Sequence, residues 1–260
     1  GPVWIDVPID IQGSLIDPLK LKGFDGNKKK LINDSGVSDN TKLELLTKSN
    51  LNNKTFTIIF EKLKKSRRPV ILAGTGVNIS KTNRQFLQLI SKLKVPVVTG
   101  WNAHDLISND NKYYSGRPGT VGDRPGNFTV QNSDLLIILG CRLNIRQISY
   151  NWKEFAPKAF KIMVDLDQAE LDKPTLQINL KIKSDLKIFI PIFIKKIQDL
   201  NYKNIKIHDK YLKWCRERVK KYPVILPEFR NSKNKKINPY IFIDNLFKIL
   251  NKDDVVVTGN

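Results

Sequence analysis

Residues 67–77, RRPVILAGTGV, decide the fold. Pro69 to Ala73 is a continuous apolar run with no polar alternation, the pattern of a strand covered on both faces, and it runs straight into Gly74-Thr75-Gly76. Upstream, Phe56, Ile59, Phe60 and Leu63 recur at helical spacing. Downstream, Asn83 to Leu93 sets Phe86, Leu87, Leu89, Ile90 and Leu93 on a second helix, and VPVVTG (95–100) supplies the next strand. DLLIILG (Asp134 to Gly140) is another doubly covered run, AFKIMVDLD (Ala159 to Asp167) a fourth strand and Leu176 to Ile182 a fifth. Strands alternating with helices predict an α/β architecture, a doubly wound parallel sheet of Rossmann-like layout.

Outward from this central piece, 55–200, the chain changes character. Residues 1–19 read as the end of a preceding domain: a strand pattern from Val3 to Val7 with no methionine before it, then an exit punctuated by Pro8 and Pro18. Residues 20–54 are polar and read as a linker with a short helix near Leu43 to Leu46. A basic helix around Asp209 to Lys221 and a linker at Pro223 to Lys236 make 201–236 a connection. Residues 237–260 then open a further α/β domain. There Asn238 caps a helix, Pro239 takes its first position, Ile241, Leu246, Phe247 and Leu250 line one face, and DDVVVTGN starts a strand. Both ends read as cut through larger units.

The 260 residues carry a formal charge of +20, but the excess is mostly lysine spread along the chain, which argues against a nucleic-acid partner. The runs Lys28 to Lys30 and Lys233 to Lys236 sit among polar residues and read as solvated linkers. Apolar stretches are far shorter than the ~20 residues of a membrane span. Two cysteines without a CxxC pair point to a reducing compartment, hence the cytoplasm.

Four strand ends carry small or polar residues: Gly74-Thr75-Gly76, Thr99-Gly100-Trp101-Asn102, Gly140-Cys141-Arg142 and Asp165-Leu166-Asp167. In an open parallel sheet, ligands lie across the carboxyl ends of the strands, so these loops converge on one crevice. Glycine admits a phosphate to the backbone, arginine clamps its oxygens, and Asp165 suits ribose hydroxyls. Each signal has a plainer alternative. Ile79 stands where a third glycine of the dinucleotide fingerprint is expected, so GTG also reads as a tight turn. Arg142 and Arg146 also suit surface ion pairs, and Asp165 and Asp167 loop capping. SGRPGTVGDRPGN (Ser115 to Asn127) reads as a loop folding over a ligand, or as a rigid surface connection. Trp101 is a stacking or packing residue. His104, His208, Cys141 and Cys215 have no metal-spaced partners and read as structural. No catalytic dyad, metal cluster or isolated buried carboxylate stands out, so no catalytic or metal-ligating residue is assigned within the chain.

The order of these motifs resembles the thiamine-diphosphate-dependent enzymes, most closely the acetolactate synthase group. GPVWIDVPIDIQ resembles the end of that family's pyrimidine-binding domain. RRPVILAGTGV, VPVVTGWNAHDLI, YYSGRPGTVG, VQNSDLLIILGCRLNIR and FAPKAFKIMVDLDQAEL resemble successive segments of its central domain, and WCRERVKKYP, INPYIFIDNL and DDVVVTGN the passage into its diphosphate-binding domain. The resemblance implies FAD in the central domain, contacted at Gly74, Gly76, Gly100, Trp101, Gly119, Thr120, Val121, Gly122, Gly140, Arg142, Arg146, Asp165, Leu166 and Asp185. Thiamine diphosphate and magnesium would bind mostly outside this chain, leaving it inactive alone. It further implies a homodimer or homotetramer that decarboxylates a 2-keto acid and joins the product to a second one, in branched-chain amino acid biosynthesis. Where the family has Phe-Asp-Asp after its arginine, this chain has Leu143-Asn144-Ile145, which removes one acidic contact. That departure favours an alternative: another thiamine-diphosphate lyase, decarboxylase or hydrolase with an ADP-filled or empty central domain. A third candidate is a non-catalytic nucleotide-binding module of sirtuin-like layout.

Overall fold

Backbone pairing follows the apolar runs. The computed structural model describes residues 6–21, 51–203, 205–230, 237–251 and 253–257. The chain divides into two compact units, Gly1–Lys42 and Leu43–Asn260. In the first, Asp6 and Val7 are in no strand, and one helical turn, α1 (Ile9–Gln12), follows Pro8. The rest of the expected Val3 to Val7 strand lies outside the described residues, as do the helix near Leu43 to Leu46 and both lysine runs. Pro18–Lys20 forms a 3-10 turn in which the capping carboxylate of Asp17 accepts from Leu19 N at 3.1 Å.

The second unit is built on five parallel strands in the order β2-β1-β3-β4-β5: β1 (Pro69–Ala73), β2 (Val97–Thr99), β3 (Leu135–Leu139), β4 (Phe160–Asp165) and β5 (Leu180–Lys183). In register, Ile71 stands between Val97 and Ile137, and Ile137 beside Ile162. The side-chain period of two then sorts each strand into two buried faces. Ile71, Ala73, Ile137, Ile162, Val164 and Ile182 meet α2 (Asn53–Lys65), α4 (Asn83–Leu93) and α8 (Leu186–Asp199). Val70, Leu72, Leu136, Ile138 and Met163 meet α5 (Arg124–Gln131), α7 (Gln168–Asp172) and α9 (Lys206–Lys221). This is the doubly wound α/β sheet read from the sequence.

Local chemistry sets the helix ends. Asn52 caps α2 through its Oδ1, 2.9 Å from Thr55 N, and the helix buries Phe56, Ile59, Phe60 and Leu63 as expected. Phe56 stacks on Phe189 of α8 at 5.8 Å and Phe60 meets Phe193 edge-on at 5.7 Å, contacts worth about 0.5–1.5 kcal/mol each beyond burial. At the N-terminal edge of the sheet the Asp134 carboxylate accepts from Ser66 Oγ, Arg67 N and Arg68 N, fixing the entry to β1 beside that to β3.

Several boundaries differ from expectation. Leu87 is 42% exposed, because α4 turns only its Phe86, Leu89, Ile90 and Leu93 side to the sheet. The fifth strand starts at Leu180, after Leu176 has been used as a buried plug from a loop. Residues 124–127 of the Gly-Pro-Arg segment belong to α5, capped by Asp123. The basic helix starts at Lys206 and buries His208, Tyr211 and Cys215, so α9 is a wall of this unit. Between the α9 end and the C-terminal helix lie α10 (Pro227–Arg230) and then α11 (Pro239–Ile249), whose Asn238 cap and Pro239 start are as read; no residue of α11 is buried. Val255–Val257 are in no strand.

Candidate functional site

The chain leaves β1 toward β2 and returns across it to β3, so the strand order reverses between β1 and β3, where a crevice is expected at the carboxyl ends. Here the glycines meet one another. After β1 begins the short helix α3 (Gly76–Ile79), and Gly74 N donates to Leu139 O at 2.9 Å and Gly76 N to Gly140 O at 3.0 Å. Gly140 has φ +55, and a Cβ on Gly74 would lie 2.3 Å from Gly140 O. The space where side chains of Gly74 and Gly76 would stand is filled by the β3 loop, so loop packing alone requires glycine at both positions. Gly100 is looser, with Cys141 Sγ 3.4 Å from the place of its Cβ.

The Ser115 to Asn127 segment is a self-supporting structure. The Asp123 carboxylate accepts from Arg117 N at 3.0 Å and Gly126 N at 2.6 Å. Asn127 exchanges two bonds with the Gly119 backbone, at 3.0 and 3.1 Å. Thr120 N donates to Arg146 O at 2.8 Å, and the buried Gln147 amide to Pro118 O at 2.6 Å, which dock the loop on α6 (Ile145–Ile148). Asp123 is the partly buried carboxylate the sequence did not disclose; burial pushes it up, against the Gly126 and Arg117 N–H bonds.

Beside β2 this loop forms one wall of a cleft of about 610 Å³. Trp101, Val121 and Gly122 of the expected set line it, with His104, Arg117, Arg124, Lys221, Tyr222 and Tyr240. Trp101 is 39% exposed and so presents surface to the cleft. Burial first, and the Arg117 charge second, hold His104 below its usual pKa. Gly119 and Thr120 line a separate cavity of about 100 Å³ with Gln147 and Phe155.

At the ends of β3 and β4 the remaining expected residues form an open rim. Arg142 is not a free clamp: its Nε lies 2.5 Å from Glu170 Oε1, which raises the guanidinium pKa further. Lys173 Nζ bonds Glu170 Oε2 at 2.8 Å and also the Arg142 carbonyl. Burial pulls the Glu170 carboxyl up, but its bonds from Lys173 and Arg142 outweigh that and hold it low. Arg146 is exposed, and its guanidinium has no partner among the described residues. Asp165 is half-buried, raised by burial against the Asp167 N–H it accepts at 3.0 Å, and Leu166 is exposed. Asp167 caps α7 through Ala169 N, the capping role read for it, and Asp185 caps α8 through Lys187 N.

Folding thus gathers Trp101, Val121 and Gly122 into a cleft, and Arg142, Arg146, Asp165 and Leu166 along a rim. It packs Gly74, Gly76 and Gly140 against one another, with Gly74 buried and the other two half-buried. Sequence reasoning passed over Arg117, Arg124, Lys221, Tyr222 and Tyr240. The two arginines were visible as the charges of GRPGTVGDRPG, whereas Tyr222 and Tyr240 reach the cleft only through the packing of α9 and α11. Among the described residues no group of three His, Cys, Asp or Glu side chains could hold a metal ion, and no helix is long and apolar enough to cross a membrane.

A parallel 2-1-3-4-5 sheet with helices on both faces defines an α/β domain of the doubly wound class, with a cleft beside the carboxyl end of β2. Residues 57–192, more than half of the chain, match the family described as "Thiamine pyrophosphate enzyme, central domain", and the chain belongs to that family. It is 30% identical over 259 residues to the probable acetolactate synthase large subunit of Methanocaldococcus jannaschii, covering 98% of this chain and 39% of that protein. The corresponding protein of Methanococcus aeolicus is 30% identical over 212 residues, 79% of this chain and 32% of its own length. Acetolactate synthase isozyme 2 large subunit of Escherichia coli is 30% identical over 129 residues, 50% of this chain and 23% of its own. The chain spans between about a quarter and two fifths of these curated relatives.

Proposed function

We propose that the full-length protein is a thiamine-diphosphate-dependent enzyme of the acetolactate synthase type. It would decarboxylate pyruvate and join the two-carbon product to a second 2-keto acid, releasing carbon dioxide. The family match over residues 57–192, together with likeness to large subunits of acetolactate synthase, carries this proposal. Thiamine diphosphate with magnesium supplies the electron sink for loss of the carboxylate, and both are assigned to parts of the protein beyond the central domain. A cytoplasmic homodimer or homotetramer acting in branched-chain amino acid biosynthesis is part of the same proposal.

FAD in the central domain is proposed in a structural role. In favour stand the half-exposed Trp101 beside Val121 on the cleft, the unpaired Arg146 for phosphate oxygens and the half-buried Asp165 for ribose hydroxyls. Gly74, Gly76 and Gly140 would offer only backbone surface. The capture of Arg142 by Glu170 favours the second candidate, a thiamine-diphosphate lyase, decarboxylase or hydrolase whose central domain holds ADP or nothing.

The test is conversion of pyruvate to acetolactate and carbon dioxide by the full-length protein with thiamine diphosphate and magnesium, with and without FAD. Product dependent on FAD is expected. Folded protein that binds thiamine diphosphate but forms no acetolactate under either condition refutes the acetolactate synthase assignment.

A further inference from the structure

The cleft beside β2 is chemically one-sided. Three cations line it, Arg117, Arg124 and Lys221, against a single carboxylate, Asp123. That carboxylate is already committed to the Arg117 and Gly126 backbone N–H groups. Arg117 is held by its Nη2, 3.0 Å from Asn109 Oδ1, yet its Nε is buried with no partner among the described residues. A buried guanidinium donor left unpaired is costly, so the Arg117 side chain is not fully satisfied by its protein neighbours. The other two cations rest on an aromatic surface: the Arg124 guanidinium lies 5.7 Å from the Tyr222 ring and Lys221 Nζ 5.5 Å from it. Tyr222 is itself braced by Phe128 at 5.6 Å. Trp101 and Tyr240 add two more rings to the lining.

We propose that this cleft recognises an oxyanion, a carboxylate or a phosphate, through Arg117 and Arg124, while its aromatic walls receive the planar part of the same ligand. The proposal deepens the assignment of a ligand crevice to this edge of the sheet and does not require that the ligand be FAD. His104, held below its usual pKa first by burial and then by the Arg117 charge, adds a hydrogen-bonding ring to the same lining.

The experiment is calorimetric titration of the full-length protein with three probes: inorganic pyrophosphate, ADP and 2-oxoglutarate. Binding of the first two assigns the oxyanion to a phosphate, binding of the third to a carboxylate. Arg117→Met and Arg124→Gln should each weaken the bound probe about ten-fold or more, the loss of a charge-assisted hydrogen bond. Arg124 is exposed, so its variant keeps the test open if Arg117→Met does not fold. Failure of all three probes to bind at millimolar concentration, or unchanged affinity in the folded variants, overturns the proposal. Flavin fluorescence on the same proteins separates the two ideas. Anion binding without FAD binding sinks only the flavin assignment, and FAD binding indifferent to both arginines, with no probe bound, sinks only this one.

Discussion

Replacing Gly74 by alanine tests whether the glycines at the strand-order reversal are there for packing or for a ligand. The new Cβ would lie 2.3 Å from Gly140 O, 2.5 Å from Cys141 Cα and 2.7 Å from Cys141 Cβ. These neighbours are mostly backbone, and Gly140 is pinned by the bond from Gly76 N to its carbonyl and by its own N–H to Val164 O, both 3.0 Å. Relief requires the two loops to part. Overpacking costs about 1–3 kcal/mol and a forfeited backbone hydrogen bond about 1. The stiffer unfolded chain returns about 0.4–1 kcal/mol, so a net loss of about 2–3 kcal/mol is expected. With a urea slope of about 2–3 kcal/mol/M, the unfolding midpoint should fall by about 1 M at unchanged slope, with no ligand present. Gly100→Ala is the control, since its Cβ meets nothing closer than 3.4 Å and should cost less than about 1 kcal/mol. A Gly74→Ala protein that unfolds within about 0.2 M of the parent would refute the packing account and return the glycine to a ligand.

Tyr202 presents a buried hydroxyl with no partner among the described residues, and burial pushes its pKa up to about 12. Tyr202→Phe should therefore leave stability unchanged or raise it by up to about 1 kcal/mol, read from the thermal midpoint; a loss above that would reveal a hydrogen bond. Cys141 and Cys215 are buried, and burial raises both thiols to about 11. Ellman's reagent at pH 8 should label neither until denaturant is added, and prompt labelling of the native protein would contradict the burial. Unfolded thiols ionise near 9, two units below the folded ones. The stability these neutral thiols contribute is complete below pH 9 and is lost as pH rises through 9 to 11, a decline that Cys→Ala variants should flatten.

Legibility followed the range of the interaction. Pro69 to Ala73, Leu135 to Leu139 and the face of α2 were readable because burial on two sides or on one helical stripe leaves a local pattern. Capping by Asn238 and Asp167 was readable because a cap and its N–H lie within three residues. The fifth strand was misplaced because Leu176 and Ile178 are apolar yet used from a loop, and periodicity does not distinguish a plug from a strand. The Val255–Val257 segment shows the converse, strand composition without a ladder partner among the described residues.

What the sequence determined alone was the alternation of strand and helix, hence the parallel doubly wound sheet, because each element's burial is written in its own residues. What only the tertiary structure decided was which candidate residues share a site. Arg142 went to Glu170 across 28 residues, Gly74 to Gly140, and Tyr222 joined Trp101 in one cleft. Such partnerships are set by the order of the strands and the packing of helices across the sheet, and distance along the chain carries no record of them.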